Sequence, residues 1–154
     1  MRQDVGLAPM AIVDWPGGRG GHTDLGPVVA AVGERAEEVY ALLERRYLEF
    51  GIDPWIGMFG IGGRALIMVA DLIYNRDDAD MVARCRSLFR TVCEDLAGIG
   101  VGLYRSHVTF MDDAVKMHTW GDHALPRLND RLKDLLDPNH ILAPGKQGIG
   151  SPAP

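Results

Sequence analysis

Residues 55–74, WIGMFGIGGRALIMVADLIY, decide the fold of this chain. Trp55 to Ile61 and Ala65 to Tyr74 are apolar runs of β-forming composition, and Gly62-Gly63-Arg64 between them supplies glycine where a tight turn needs positive φ. The two runs are predicted to pair antiparallel as a hairpin. A segment of helical period lies on either side. From Glu34 to Phe50, Ala36, Val39, Tyr40, Leu43 and Tyr47 recur on one face, with Glu37, Glu38, Glu44, Arg45 and Arg46 on the other and Gly51 as the stop. After Asp77-Asp78, which suits a helix start, Val82, Cys85, Phe89, Val92 and Leu96 follow at steps of three and four until Gly98 and Gly100.

Working outward, Leu25 to Ala31 reads as a buried strand interrupted by Pro27, and Val101 to Arg105 as a final strand. The order is then β-α-β-β-α-β. This is the split arrangement of ferredoxin-like domains, an α+β class with an antiparallel sheet and two helices on one face. Residues 1–21, with glycines at 17, 18, 20 and 21, read as a lead-in loop, and residues 22–154 as the domain. Beyond the sheet, Thr109 to His118 and Asp122 to Leu136 read as two C-terminal helices. The second carries Leu125, Leu128, Leu132 and Leu135 on one side and stops at Asp137-Pro138-Asn139. The tail from Ile141 to Ile149 is too rich in Gly and Pro to be regular and too apolar to be freely solvated, so it is expected to dock.

At 154 residues, 47% hydrophobic and 24% charged, the chain has the composition of one globular domain with a real core. No apolar run approaches the roughly 20 residues of a membrane helix and no secretory signal opens the chain, so a cytoplasmic location without membrane contact is expected. A formal charge of -5 without a basic run argues against a nucleic-acid partner. Cys85 and Cys93 lie eight apart on one predicted helix, about 12 Å at 1.5 Å per residue, too far to pair, and read as buried thiols. Nothing has metal-ligand spacing, so no metal is expected.

Three places hold residues able to do chemistry: Tyr104-Arg105 with His107 at a predicted strand end, Lys146 in the tail, and His22 after the glycines. None is a self-sufficient motif. A strand places adjacent Tyr and Arg on opposite faces, so composition alone reads them as one core tyrosine and one solvated arginine. The stretch Tyr104-Arg105-Ser106-His107-Val108-Thr109-Phe110-Met111-Asp112 nevertheless resembles the Tyr-Arg-Thr-His-x-x-Phe-Met-Asp stretch of the vanillyl-alcohol oxidase and para-cresol methylhydroxylase family. Asp137-Pro138-Asn139-His140-Ile141-Leu142-Ala143-Pro144-Gly145-Lys146-Gln147-Gly148-Ile149 is similar to that family's terminal Asp-Pro-Asn-Gly-Ile-x-x-Pro-Gly-Lys-x-Gly-Ile signature, departing at His140, where glycine is usual. His22, five residues before Pro27, resembles the histidine that opens the oxidases' cap domain.

The resemblance implies the C-terminal cap region of an FAD-dependent oxidoreductase acting on a para-substituted phenol. Tyr104 and Arg105 would hold the substrate as phenolate, with His107 beside them; His22 would bond covalently to FAD; Lys146 and Arg105 would lie near the flavin. The chemistry is consistent with those residue types. A phenol of pKa near 10 needs a fixed guanidinium and a hydroxyl donor to be populated as its anion, and the anion favours hydride loss from the carbon attached at the para position. The family's FAD-binding domain is absent from these residues, so the chain alone is expected to be inactive. It is expected to pair with an FAD-domain polypeptide or the rest of a longer chain, or to self-associate through apolar surface including Trp15, Tyr104, Met111 and Ile149. The competing reading is a free-standing ferredoxin-like binding or assembly module.

Overall fold

The computed structural model describes residues 19–150, so most of the lead-in segment, Trp15 included, lies outside the described residues. The hairpin forms as read. Strand β3 is Trp55–Ile61, and β4, Ala65–Asn75, pairs with it antiparallel from Trp55 opposite Asp71 to Ile61 opposite Ala65. Gly62 takes φ 57° in the turn, where a side chain would be strained.

The other edge of β4 takes the first strand in two pieces, β1 (Gly20–Leu25) and β2 (Pro27–Ala30). Both keep one antiparallel register, Leu25 opposite Ala70 and Val28 opposite Ile67, so Pro27 interrupts the ladder without shifting it. A short β5, Gly102–Leu103, pairs with β2 and closes the order β3, β4, β1/β2, β5. Helices α1 (Gly33–Glu49) and α2 (Ala79–Gly98) pack on one face of this sheet, as the split order predicts.

The core lies between the helices and that face. Val39, Leu43 and Tyr47 of α1 and Cys85, Leu88, Phe89, Val92, Cys93 and Leu96 of α2 meet Leu25, Val29, Met68, Ala70 and Leu72 of the sheet. Asp78 caps α2 by accepting from Met81 N at 2.9 Å, and the buried Tyr47 hydroxyl donates to Ala70 O at 3.0 Å. Both cysteines are free and buried, and burial pushes the Cys85 thiol up to about 11 and Cys93 to about 12.

Several boundaries differ from the reading, each for a local reason. The first strand begins at Gly20, so Gly20 and Gly21 are strand and not the end of a lead-in loop. Glycine at 21 answers a packing need: a Cβ there would come within 2.7 Å of the Tyr74 ring. The final strand shrinks from Val101–Arg105 to Gly102–Leu103, because the chain turns away after Tyr104 N donates to Gly26 O at 2.7 Å. The predicted helix over Thr109–His118 is a 3-10 turn, Val108–Phe110, followed by the short helix α3, Met111–Val115.

Helix α4 spans Trp120–Leu136, with Gly121, Asp122 and His123 at positive φ, so regular helix starts beyond His123 and Pro126 falls in its first turn, where its missing N–H costs nothing. Its leucine side is uncovered: Leu125, Leu128, Leu132 and Leu135 are 46%, 53%, 46% and 75% exposed. The tail docks on its own chain. Asp137 accepts from Lys133 Nζ at 2.5 Å, Leu142 N at 2.9 Å and Ile141 N at 3.2 Å, while Lys133 also reaches the Leu142 carbonyl. The 3-10 turn Lys146–Gly148 then packs against α3, with Gly148 beside Val115.

Candidate functional site

Strand alternation fixes which side chains leave the core. With Leu25, Val29, Met68, Ala70 and Leu72 facing the helices, His22, Asp24 and Gly26 must point to the opposite face. Register adds Ile67, Val69, Asp71 and Ile73 from β4 and Trp55, Gly57 and Phe59 from β3 to that face. Large apolar groups there stay open to solvent: Phe59 is 59% and Tyr104 63% exposed.

β5 is too short to cover the free edge of β1, and residues 105–108 run past that edge instead. A cavity of about 280 Å³ opens between them, lined by His22, Thr23, Asp24, Arg105, Ser106, His107 and Val108. Three of the residues singled out from the sequence are thus brought together, and Tyr104 adjoins them: the Arg105 guanidinium lies 5.9 Å from the Tyr104 ring centre. His107 faces the cavity while its Nδ1 accepts from Thr109 N at 3.2 Å, which starts the turn before α3. Lys146 takes no part in this cluster, being placed on the tail turn that packs against α3.

Two residues that the motifs did not single out organise the charges. Asp24 sits between Arg105 and His22, with Oδ2 3.5 Å from Arg105 and Oδ1 4.0 Å from His22 Nε2. Directly across the ladder from Asp24 is Asp71, which also faces Trp55 on its other side. Asp71 is only 5% exposed, and its Oδ1 has no hydrogen-bond partner. Burial first, and then the neighbouring Asp24, push the Asp71 carboxyl up to about 7. The signal for Asp71 was in the sequence: one carboxylate within the apolar run ALIMVADLIY demands a partner or a function. Asp24 carried no such signal, since an aspartate beside a glycine-rich stretch reads as loop until the strand register is known.

Chemically, the cluster offers a guanidinium and a phenolic hydroxyl for an anion, two imidazoles, and a carboxyl pair able to hold a proton. Beside it, Gly26 and Gly57 flank Val69 on the open sheet face, with the Phe59 ring lying against Gly57. Among the described residues no group of His, Cys, Asp and Glu has the arrangement of a metal site, and no helix is long and apolar enough to cross a membrane.

Comparison with known proteins agrees with the motif pattern. A family model for FAD linked oxidases, C-terminal domain, matches residues 24–147. The flavoprotein subunit of 4-cresol dehydrogenase [hydroxylating] from Pseudomonas putida is 27% identical over 143 residues, covering 93% of this chain and 26% of that protein. Among solved structures, 4-ethylphenol oxidase from Gulosibacter chungangensis, in complex with isoeugenol, superposes with a TM-score of 0.83 at 32% identity, covering 91% of this chain and 26% of that one. p-Cresol methylhydroxylase with substrate bound gives 0.77 at 26% identity, covering 84% and 24%. The chain therefore spans about a quarter of the length of these relatives.

Proposed function

The chain belongs to the family of FAD linked oxidases, C-terminal domain, and from that membership we propose that it is the substrate-binding cap of a flavoprotein that oxidises a para-substituted phenol. The observation that carries the reading is the meeting of Arg105, His107, His22 and Asp24 around one cavity, with Tyr104 beside Arg105, in a chain similar to a 4-cresol dehydrogenase flavoprotein subunit, a 4-ethylphenol oxidase and a p-cresol methylhydroxylase.

In this reading FAD would be held mainly by a flavin-binding part supplied by a longer chain or a partner, and when bound would supply the acceptor for hydride from the carbon attached at the substrate's para position. The residues of this chain bind, orient and charge the substrate. Arg105 holds the phenolic oxygen as its anion and the Tyr104 hydroxyl donates to the same oxygen, two charge-assisted contacts that favour ionisation. His107 lines the wall next to them. His22, half exposed at the rim, is the residue that would attach to FAD. Lys146 sits outside the cluster, so its role near the flavin requires the covering part to meet the tail turn. The exposed leucine side of α4 and the open sheet face are the surfaces that this part or a second copy of the chain would cover.

The first test is the visible spectrum of the protein purified from its native source, together with anything that copurifies, before and after acid precipitation, with intact masses on the same sample. Flavin absorption that bleaches when 4-cresol is added without oxygen is the expected result, and FAD mass retained on this chain would identify His22 as the attachment point once His22→Ala abolishes it. A colourless preparation that binds no phenol would sink the reading in favour of a free-standing ferredoxin-like binding module.

A further inference from the structure

Resting on that reading, we propose that Asp24 is the base that takes the substrate's phenolic proton, with Asp71 sharing that proton from behind, so that Arg105 changes partner from carboxylate to phenolate. The antiparallel register sets Asp24 and Asp71 directly opposite each other, a spacing at which two like charges are unfavourable and a shared proton is favoured. Arg105 reaches Asp24 only, leaving Asp71 buried behind it. The two buried polar side-chain atoms without a partner among the described residues are Asp71 Oδ1 and Ser106 Oγ. One belongs to the pair and the other lines the adjoining cavity, so both orphans lie where a proton and a hydrogen-bonding ligand would satisfy them.

Other charged and titratable groups near the pair are few. β1 contributes His22 beside Asp24, the 105–108 segment contributes Arg105, and α1 contributes Tyr47 through the sheet; β3 contributes only Trp55, which is uncharged. Burial first, and then the carboxylate of Asp24, keep Asp71 protonated until about pH 7. A base that becomes free near neutrality suits proton abstraction from a phenol.

The step balances within the site. The phenol O–H bond breaks and its electron pair stays on the phenolic oxygen; the proton forms a new O–H bond on Asp24 and is shared with Asp71. Neutralising the pair by one charge removes Asp24's claim on Arg105, and the guanidinium pairs with the phenolate. Asp24 touches the substrate and is catalytic. Asp71 acts through Asp24 and is a positioning residue that keeps the proton in the site.

Unsubstituted phenol, which has no carbon substituent at the para position to oxidise, tests this in the flavin-loaded protein at pH 8. Phenolate is followed by ultraviolet difference absorption, and proton release by calorimetry in buffers of different ionisation enthalpy. The expected result is bound phenolate with well under one proton released, because the loss of Arg105 to the phenolate raises the pair's hold on the proton above that of the resting site. Asp71→Asn and Asp24→Asn, checked for folding by thermal melting, should lose that combination, either binding neutral phenol or releasing close to one proton. Wild-type phenolate with a full proton released, neutral phenol bound to the wild type, or either variant behaving as the wild type would overturn the proposal while phenol binding itself stands. No phenol binding by the wild type would overturn both this proposal and the reading beneath it.

Discussion

Replacing Asp71 by asparagine removes a buried acid without changing its shape, and the effect on stability can be worked from its environment. In the unfolded chain the carboxyl titrates near its ordinary 3.8, whereas in the folded chain burial and Asp24 hold it at about 7. Between those values the unfolded state has released a proton that the native state keeps, so native stability falls as pH rises. At 1.36 kcal/mol per pKa unit the loss approaches about 4 kcal/mol once pH exceeds 7, a ceiling because Asp24 shares the titration. The carboxamide of the Asp71→Asn variant has nothing to ionise. The variant should therefore match the wild type at pH 4 within the small change in hydrogen bonding, then gain on it progressively to about 2–4 kcal/mol at pH 8. Urea denaturation at five pH values between 4 and 8 measures this directly. Parallel stability curves for the two proteins would refute a raised Asp71 carboxyl, and with it the claim that the pair stores a proton at neutrality.

Other regions give separate expectations. Phe89 is fully buried and stacks on Phe110 with ring centres 3.9 Å apart. Phe89→Ala should cost about 3–5 kcal/mol in chemical denaturation and loosen the turn that carries His107, which hydrogen exchange at residues 107–110 would reveal. Asp137 is held below the usual carboxylate range first by Lys133 and then by the Leu142 and Ile141 amides. Its contribution is present above the unfolded value and fades as pH falls through the lowered folded one, so the tail should become protease-sensitive after Leu136 only in strong acid, and at neutral pH in Asp137→Ala; equal cleavage of variant and wild type at neutrality would contradict the anchoring role. Charging the open side of α4 with Leu128→Glu and Leu132→Glu should lower self-association or recovery of the covering partner in sedimentation without shifting the melting temperature, since both leucines are about half exposed.

The local elements were legible in the sequence because each rests on short-range chemistry. The hairpin over residues 55–74 needs only apolar runs and a glycine turn, and α2 needs Asp78 at its start and a 3.6-residue stripe, so both appear almost as read. The pairing of Tyr104-Arg105 with the Pro144-Gly145-Lys146 tail pointed to the family before any fold was known. What failed lay at element ends. Glycines at 20 and 21 imitate a loop, and only the Tyr74 ring from the neighbouring strand shows why they belong to β1.

The site itself divides in the same way. Sequence alone determined the helix and strand order, the residue types Tyr104, Arg105, His107 and His22, and the family to which they point. Only the tertiary structure decided that His22 sits on a strand facing Arg105 across Asp24, that Lys146 stands apart, and that Asp71 meets Asp24. Those facts depend on which strand edge pairs with which, and in what register. Register is set by packing the core face of β4 against both helices, and a one-residue slip of β1 or β4 would send His22 and Asp24, or Asp71, to the opposite side of the sheet.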